Sequence, residues 1–527
     1  MLFAQQAAGA AAQPAPSKGK APLTKTIWSQ ERLKSALLAA KTPDQNTLAA
    51  QLAANKEIIT LVLDWYKPPS DDSRKKVESG KVVLSSGKPA EVTGATRDFV
   101  LKTSKLLDLD EVQTFEMTYL FIEEARNRPT NLREVNINKL TFDDNVTLLV
   151  MKHYMNERLE TLRLLLTILQ EASDEDNPSF QTVKDFLTDA NILDTNESFT
   201  TRLLAQLHHA FTKRVPFEMQ RTSNWGFEWA MHWLKEQQSI LEVLFLFHYH
   251  SCPPKSAVKI MTTLTEFSFG IDQPNRTLFD AELLQQRTQV SDLAVMVALE
   301  VLNLEPVLER RVHARDDANA TTIGESIPSL LQISTLIREI GKSVQSGTRE
   351  PDPRGVILLA WSLLLSMLPH PLTGEYGKIA GPAFCQELAQ FGYEKLGAVQ
   401  YLLQMQQGQS SRGNDALKLA FGSVMKGFLM MLLTVQNVAQ LPDGEVLVDV
   451  FAGVFEGREE LALHFWWVDY ADRERRSLLE GAKMGFPVEP EAYLRLLRSL
   501  CGDVKTARLV FNHMKQLENY LDVWREG

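Results

Sequence analysis

The sequence predicts an all-α fold, an irregular superhelical α-solenoid, and three observations carry that expectation. The stretch from Arg354 to Leu368 reads Arg-Gly-Val-Ile-Leu-Leu-Ala-Trp-Ser-Leu-Leu-Leu-Ser-Met-Leu. Its apolar residues fall on every side of a helical wheel, so a helix made from it has no face to give to water and must be buried. Around it, segments with apolar residues every three or four positions follow one another through short polar or proline-bearing links, and alternating strand patterns are almost missing. Finally, 527 residues exceed what one compact core supports, about 250 to 300. Helices joined by short links become antiparallel neighbours, and this many can be accommodated by stacking in pairs. No fixed repeat period is present, which favours HEAT- or armadillo-like helical pairs of about 40 to 47 residues over a regular tetratricopeptide or ankyrin array.

Taken in order, residues 1–23 are rich in Ala, Gln and Pro and lack a charged start followed by an apolar run; they read as a disordered tail without a secretory signal. Residues 24–320 form the first part of the solenoid. Helices are expected over Trp28–Ala40 and Thr47–Tyr66, the latter on Leu48, Leu52, Ile59 and Leu63. Residues 67–96 turn to Pro, Ser, Gly and charge, and a small β-hairpin near 81–92 is expected around Ser86-Gly87. The helical pattern resumes at Asp98, and Thr141-Phe-Asp-Asp144 reads as a capping box before a long helix through Leu149, Tyr154, Leu162 and Leu169. Further helices are expected near Gln181–Leu187, Phe199–Lys213, Asn224–His250 and Lys255–Glu266. A second capping box, Thr277-Leu-Phe-Asp280, opens a segment to Leu302, and a charged link over Glu309–Thr322 suggests a joint.

Residues 321–527 continue the solenoid through Pro328–Ile340 and the central buried helix 354–368, which Asp352 caps, Pro353 starts and Pro369 stops. That helix is shorter than the about 20 apolar residues a bilayer span needs, so no membrane span is expected from it. Apolar helical segments follow at Pro382–Gln406 and Ala416–Leu441. A helix through Tyr493, Leu497 and Leu500 closes at Gly502, and Asp503 caps the next, which is expected to reach Trp524. On that last helix Leu509 and Phe511 widen the apolar surface beyond what one preceding helix covers. A following helix of a longer chain is the expected cover.

The composition narrows the function classes. The 56 basic and 66 acidic residues give a net charge of −10, so no broad positive field exists for nucleic acid. Three widely spaced cysteines, Cys252, Cys385 and Cys501, suit a reducing, intracellular setting. Gly341-Lys342-Ser343 lacks the earlier glycine of a phosphate loop, since Leu336 stands there. Asp143-Asp144 and Asp316-Asp317 have no carboxylate at a cation-binding spacing. His248, His250 and Cys252 include residues two apart that diverge on a helix, which argues against zinc. No nucleophile elbow, dinucleotide loop or zincin motif occurs. No catalytic residue, cofactor, metal or small-molecule substrate is therefore assigned, and the chain is expected not to be an enzyme. Trp225, Trp229 and Trp233 recur every four residues on one helical stripe and are the partner-binding candidates, as a groove for hydrophobic peptides. The same spacing also suits a buried seam between helices.

Pro353-Arg-Gly-Val-Ile-Leu-Leu-Ala-Trp-Ser-Leu-Leu, together with His464-Phe-Trp-Trp, Gly485-Phe-Pro and Tyr493-Leu-Arg-Leu-Leu-Arg-Ser-Leu, resembles the large scaffold nucleoporins of the nuclear-pore inner ring, the nucleoporin 188 family. Members are much longer, so the resemblance implies an N-terminal portion. It also implies a nuclear location at the pore and a structural role in organising other nucleoporins, inner-ring linker and FG-type nucleoporins among them, through regions beyond this chain. The alternative from composition and helix pattern is a soluble karyopherin-like transport adaptor.

Overall fold

The computed structural model describes residues 45–127, 144–313, 326–343, 351–368, 381–409, 415–435, 444–467 and 472–515, apart from 86, 88, 174–176, 193–196, 221–222, 250, 485, 487 and 489. The expected tail, the helix over 28–40, Thr141 and Asp143, Asp316-Asp317, His250 and Pro369 lie outside the described residues.

Among the described residues the fold is all-α with one two-stranded antiparallel sheet. In chain order the elements are α1 (Gln45–Leu61) with a 3-10 turn (Val62–Trp65), α2 (Asp71–Glu78), β1 (Lys81–Val83), β2 (Pro89–Glu91), α3 (Gly94–Leu107), α4 (Glu111–Asn127), α5 (Asp144–Glu171), α6 (Phe180–Asp189), α7 (Ser198–Thr212), α8 (Phe217–Gln220), α9 (Ser223–His248) and α10 (Pro254–Glu266). There follow α11 (Ala281–Leu302), α12 (Leu304–His313), α13 (Ile327–Ser343), α14 (Pro353–Met367), α15 (Pro382–Gln390), a π-turn (Phe391–Lys395), α16 (Ala398–Gln409), α17 (Asp415–Val435), α18 (Gly444–Phe455), α19 (Glu459–Trp467), α20 (Asp472–Lys483), α21 (Glu491–Ser499) and α22 (Val504–Lys515). The chain forms two compact units, one of Ala8–Phe247 with Gln273–Gln286 and one of His248–Asp272 with Arg287–Gly527.

In the first unit, the hairpin pairs Lys81 with Glu91 and Val83 with Pro89, and Gly87 turns the chain at φ +80°, where a side chain would be strained. Val82 is buried against α2 while Val83 faces water, the alternation a half-covered strand requires. Asp110 caps α4, accepting from Val112 N and Gln113 N at 3.0 Å. Val77, Phe99, Phe115, Tyr154, Trp229 and Trp233 belong to one continuous core.

In the second unit, α14 is the helix the others pack on. It meets α12, α13, α15, α16, α17 and the turn Ser268–Gly270, and from Gly355 to Leu365 every residue is buried. Asp352 Oδ1 accepts from Arg354 N at 2.9 Å and Pro353 holds the first position, as the sequence predicts. Successive helices then stack on near neighbours, α16 on α18, α17 on α20, α18 on α21 and α19 on α22, the pairwise layering of an α-solenoid. Leu417–Val435 is long and apolar enough to cross a bilayer, yet 67% of it is buried inside the protein, as a core helix would be.

Some boundaries differ from expectation, and one is left open. Thr277 caps nothing: it sits in a one-turn 3-10 helix (Arg276–Leu278), and Asp280, next to the helix, accepts from Leu283 N at 2.9 Å. The segment Pro382–Gln406 is not one helix. Gly392 in the π-turn lies against Gly355 of α14 so closely that an added Cβ would stand 2.6 Å from Gly355 O, and Gly397 then breaks the chain at φ +59°. A wheel pattern cannot register this backbone-to-backbone approach, which widens the turn. The last helix is described only to Lys515, so its expected reach to Trp524 passes outside the described residues.

Candidate functional site

The tryptophan stripe lies on α9, and its inner members are enclosed. Trp229 and Trp233 are 0% and 2% exposed and Trp225 is half-buried. Trp229 and Trp233 meet edge to face at 5.8 Å, and His209 of α7 covers Trp233 at 5.6 Å. Their rings are occupied by the chain itself because the α9 face that carries them is the face laid on α5 and α7. Neither ring offers a partner a surface.

The same stripe continues to Glu236, where the structure brings together charges that sequence spacing did not connect. Arg158 of α5 donates Nη2 to Glu236 Oε1 at 2.6 Å and Nε to Oε2 at 2.9 Å, a bidentate pair with side chains 4% and 0% exposed. Arg158 Nη1 donates to Tyr154 OH at 3.1 Å, and the guanidinium lies 5.4 to 5.5 Å from the centroids of Tyr66, Tyr154 and Trp233. His232 Nε2 is 3.0 Å from Glu236 Oε2. Burial alone would raise the Glu236 pKa, but Arg158 and its hydrogen bonds overcome this and hold it at about 2. Burial lowers the His232 pKa despite Glu236. Burial, aided by Lys213, brings His209 to about 4. The cluster has charge but no opening, so it fixes how α5 and α9 pack rather than meeting a substrate. One signal for it was present: Arg158 interrupts the buried register Met151, Tyr154, Met155, Leu162 on α5.

A second buried charge, Lys426 of α17, places Nζ 3.0 Å from Glu305 Oε1 of α12 and 2.8 Å from His464 Nδ1 of α19. This joins three helices through one ammonium. Nothing in sequence spacing linked these positions.

A concavity of about 980 Å³ lies in the second unit between α16, α17, α18, the start of α19 and α21. Three of its charged side chains are committed to the fold. Arg495 pairs with Asp449, and Arg458 Nη1 donates to Gly453 O at 2.9 Å and Val454 O at 2.6 Å, covering free carbonyls at the end of α18. Ser499 Oγ donates to Leu496 O at 2.8 Å. His248 and Cys252 are both buried, and among the described residues no three His, Cys, Asp or Glu side chains converge as a metal site. Gly341-Lys342-Ser343 ends α13 and has no loop to cradle phosphate.

A family model described as Nucleoporin Nup188, N-terminal, matches residues 47–376. The chain belongs to this family. The match takes in the Arg158–Glu236 pair and the central helix, whereas the concavity lies beyond it. Human Nucleoporin NUP188 is 22% identical over 473 residues, 88% of this chain and 25% of the human protein. Mouse Nucleoporin NUP188 is 22% identical over 485 residues, 90% of this chain and 25% of the mouse protein. The chain thus spans about a quarter of the length of the curated relatives it matches. A solved circular tandem repeat protein aligns over 93% of this chain and 97% of its own at 14% identity with a TM-score of 0.17, and the fold assignment does not rest on it. Proteins of the Nup188 family are nucleoporins, components of the nuclear pore complex at the nuclear envelope.

Proposed function

We propose that this chain is a non-enzymatic structural scaffold of the inner ring of the nuclear pore, supporting nucleocytoplasmic transport by holding other nucleoporins in place, linker and FG types among them. The observation that carries this reading is the family match over residues 47–376. The structure is compatible with it: buried charges lock helices to one another, and recognition is left to helix surfaces rather than to a reacting group. A fluorescently tagged copy in living cells tests the proposal. A rim signal at the nuclear envelope that recovers over hours after bleaching is the expected result. A diffuse signal, or recovery within seconds as for a karyopherin-like adaptor, would overturn it.

A further inference from the structure

Helices α11 and α12 meet at a corner made of one residue. Asn303 stands alone between Leu302, the last residue of α11, and Leu304, the first of α12. It takes the left-handed region, φ +49°, and its backbone N–H donates to Glu300 O at 2.9 Å. Glycine would serve this backbone at no steric cost, and asparagine is among the few other residues that enter the region routinely. What asparagine adds is a side-chain amide. That amide is buried: Asn303 is 7% exposed, and its Nδ2 finds no acceptor among the described residues. Asn303 lies at the wall of a small cavity of about 20 Å³, which Glu300, Glu305, Ser423 and Gly427 also line. Glu300 is 5% exposed, Glu305 Oε1 holds Lys426 Nζ at 3.0 Å, and Ser423 is hydrogen-bonded to Tyr249. Gly427 lets α17 approach α12 so closely that an added Cβ would stand 3.1 Å from Glu305 Cβ, which keeps the space small.

We propose that this cavity is the site of one structural water molecule, which accepts from Asn303 Nδ2 and donates to the carboxylates of Glu300 and Glu305, tying the α11–α12 corner to the α17 wall. A cavity takes a water when it offers at least about 10 to 15 Å³ and two to four polar partners, and both conditions are met. The chemistry of the wall then selects among guests of that size. An anion would stand against two carboxylates. A metal cation gains nothing from an amide N–H and would stand near the Lys426 ammonium as well. Water accepts and donates at once, so it satisfies the buried donor and a carboxylate together. The walls are α11, α12 and α17, all of the second unit, and the inference does not depend on the pore assignment.

Two measurements on the full chain test it. A crystal structure is expected to show one density peak in the cavity, about 2.7 to 3.2 Å from Asn303 Nδ2 and at hydrogen-bond distance from a Glu300 or Glu305 oxygen. A peak at about 2.3 to 2.6 Å from both carboxylates, the spacing of a bound calcium ion, would overturn the proposal. So would an empty cavity, or an Asn303 amide turned onto a protein acceptor. In solution, protein labelled with 15N-asparagine is followed in a rotating-frame cross-relaxation experiment, which separates dipolar contact with water from proton exchange. The Asn303 side-chain amide is identified as the signal lost in Asn303→Gly, a substitution that keeps the left-handed corner; the crystallographic test needs no variant. A dipolar cross-peak between this amide and water is the expected result. Its loss from every asparagine as buried as Asn303 would show the amide to be dry and overturn the proposal.

Discussion

At Arg158 and Glu236, two opposite charges are almost wholly out of water and are held by each other and by Tyr154, with His232 Nε2 3.0 Å from Glu236 Oε2. Removing one member strands the other, so Arg158→Met should cost about 3 to 5 kcal/mol, while Arg158→Met with Glu236→Leu should recover most of it. Chemical denaturation of the two variants beside the unaltered chain checks this, and a double variant no better than the single would show the pair to be net stabilising. The neighbouring histidines set a pH dependence. His209 is held at about 4, below its ordinary value of about 6.5, and His232 is also lowered. The unfolded chain therefore binds more protons between those values, and stability falls as pH drops from about 6.5 towards 4. Glu236, held at about 2, keeps its full contribution above the ordinary carboxylate value of about 4.3 and loses it progressively as pH falls from there through about 2. Melting followed from pH 7 to 4 should show the histidine slope, reduced in His209→Phe; an unchanged slope would mean that His209 does not carry it. Trp361, fully buried with an indole N–H that finds no acceptor among the described residues, should cost about 3 to 5 kcal/mol as Trp361→Ala. Unchanged melting in that variant would contradict the core position.

Among elements, the crossing of α14 and the π-turn depends on two glycines. A Cβ on Gly392 would stand 2.6 Å from Gly355 O and 3.2 Å from Leu359 N, and backbone atoms cannot move aside as a side-chain tip can. Gly392→Ala should therefore destabilise by about 1 to 3 kcal/mol, the range for overpacking. Gly341, within α13, has nothing within 4 Å of an added Cβ, and Gly341→Ala should gain up to about 1 kcal/mol from helix propensity. Opposite signs at the two glycines, read as denaturation midpoints, are the expected pattern; a gain at both would mean that the crossing is loose. The sequence placed most helices because apolar spacing, Asp352, Pro353 and Asp503 are local signals. It did not show the break inside the apolar stretch Pro382–Gln406, because the deciding contact, Gly392 on Gly355, joins residues distant in sequence.

For the molecule as a whole, two units each hold their own buried core, and no metal-binding group is found among the described residues. Chelation by EDTA should then leave the circular-dichroism melting curve unchanged; a fall in melting temperature would point to a structural ion. What the sequence determined by itself was the helical class, the small hairpin, the burial of Val356–Leu365 and the family, because these depend on the order of apolar residues along the chain. The tertiary structure alone decided what occupies each face. It sealed Trp229 and Trp233 in a core, tied Arg158 to Glu236 across 78 positions and tied Lys426 to Glu305 and His464. The physical reason is that a helical stripe reports only that one side of a helix is apolar; whether that side meets another helix, a buried charge or solvent depends on chain segments that sequence spacing does not connect.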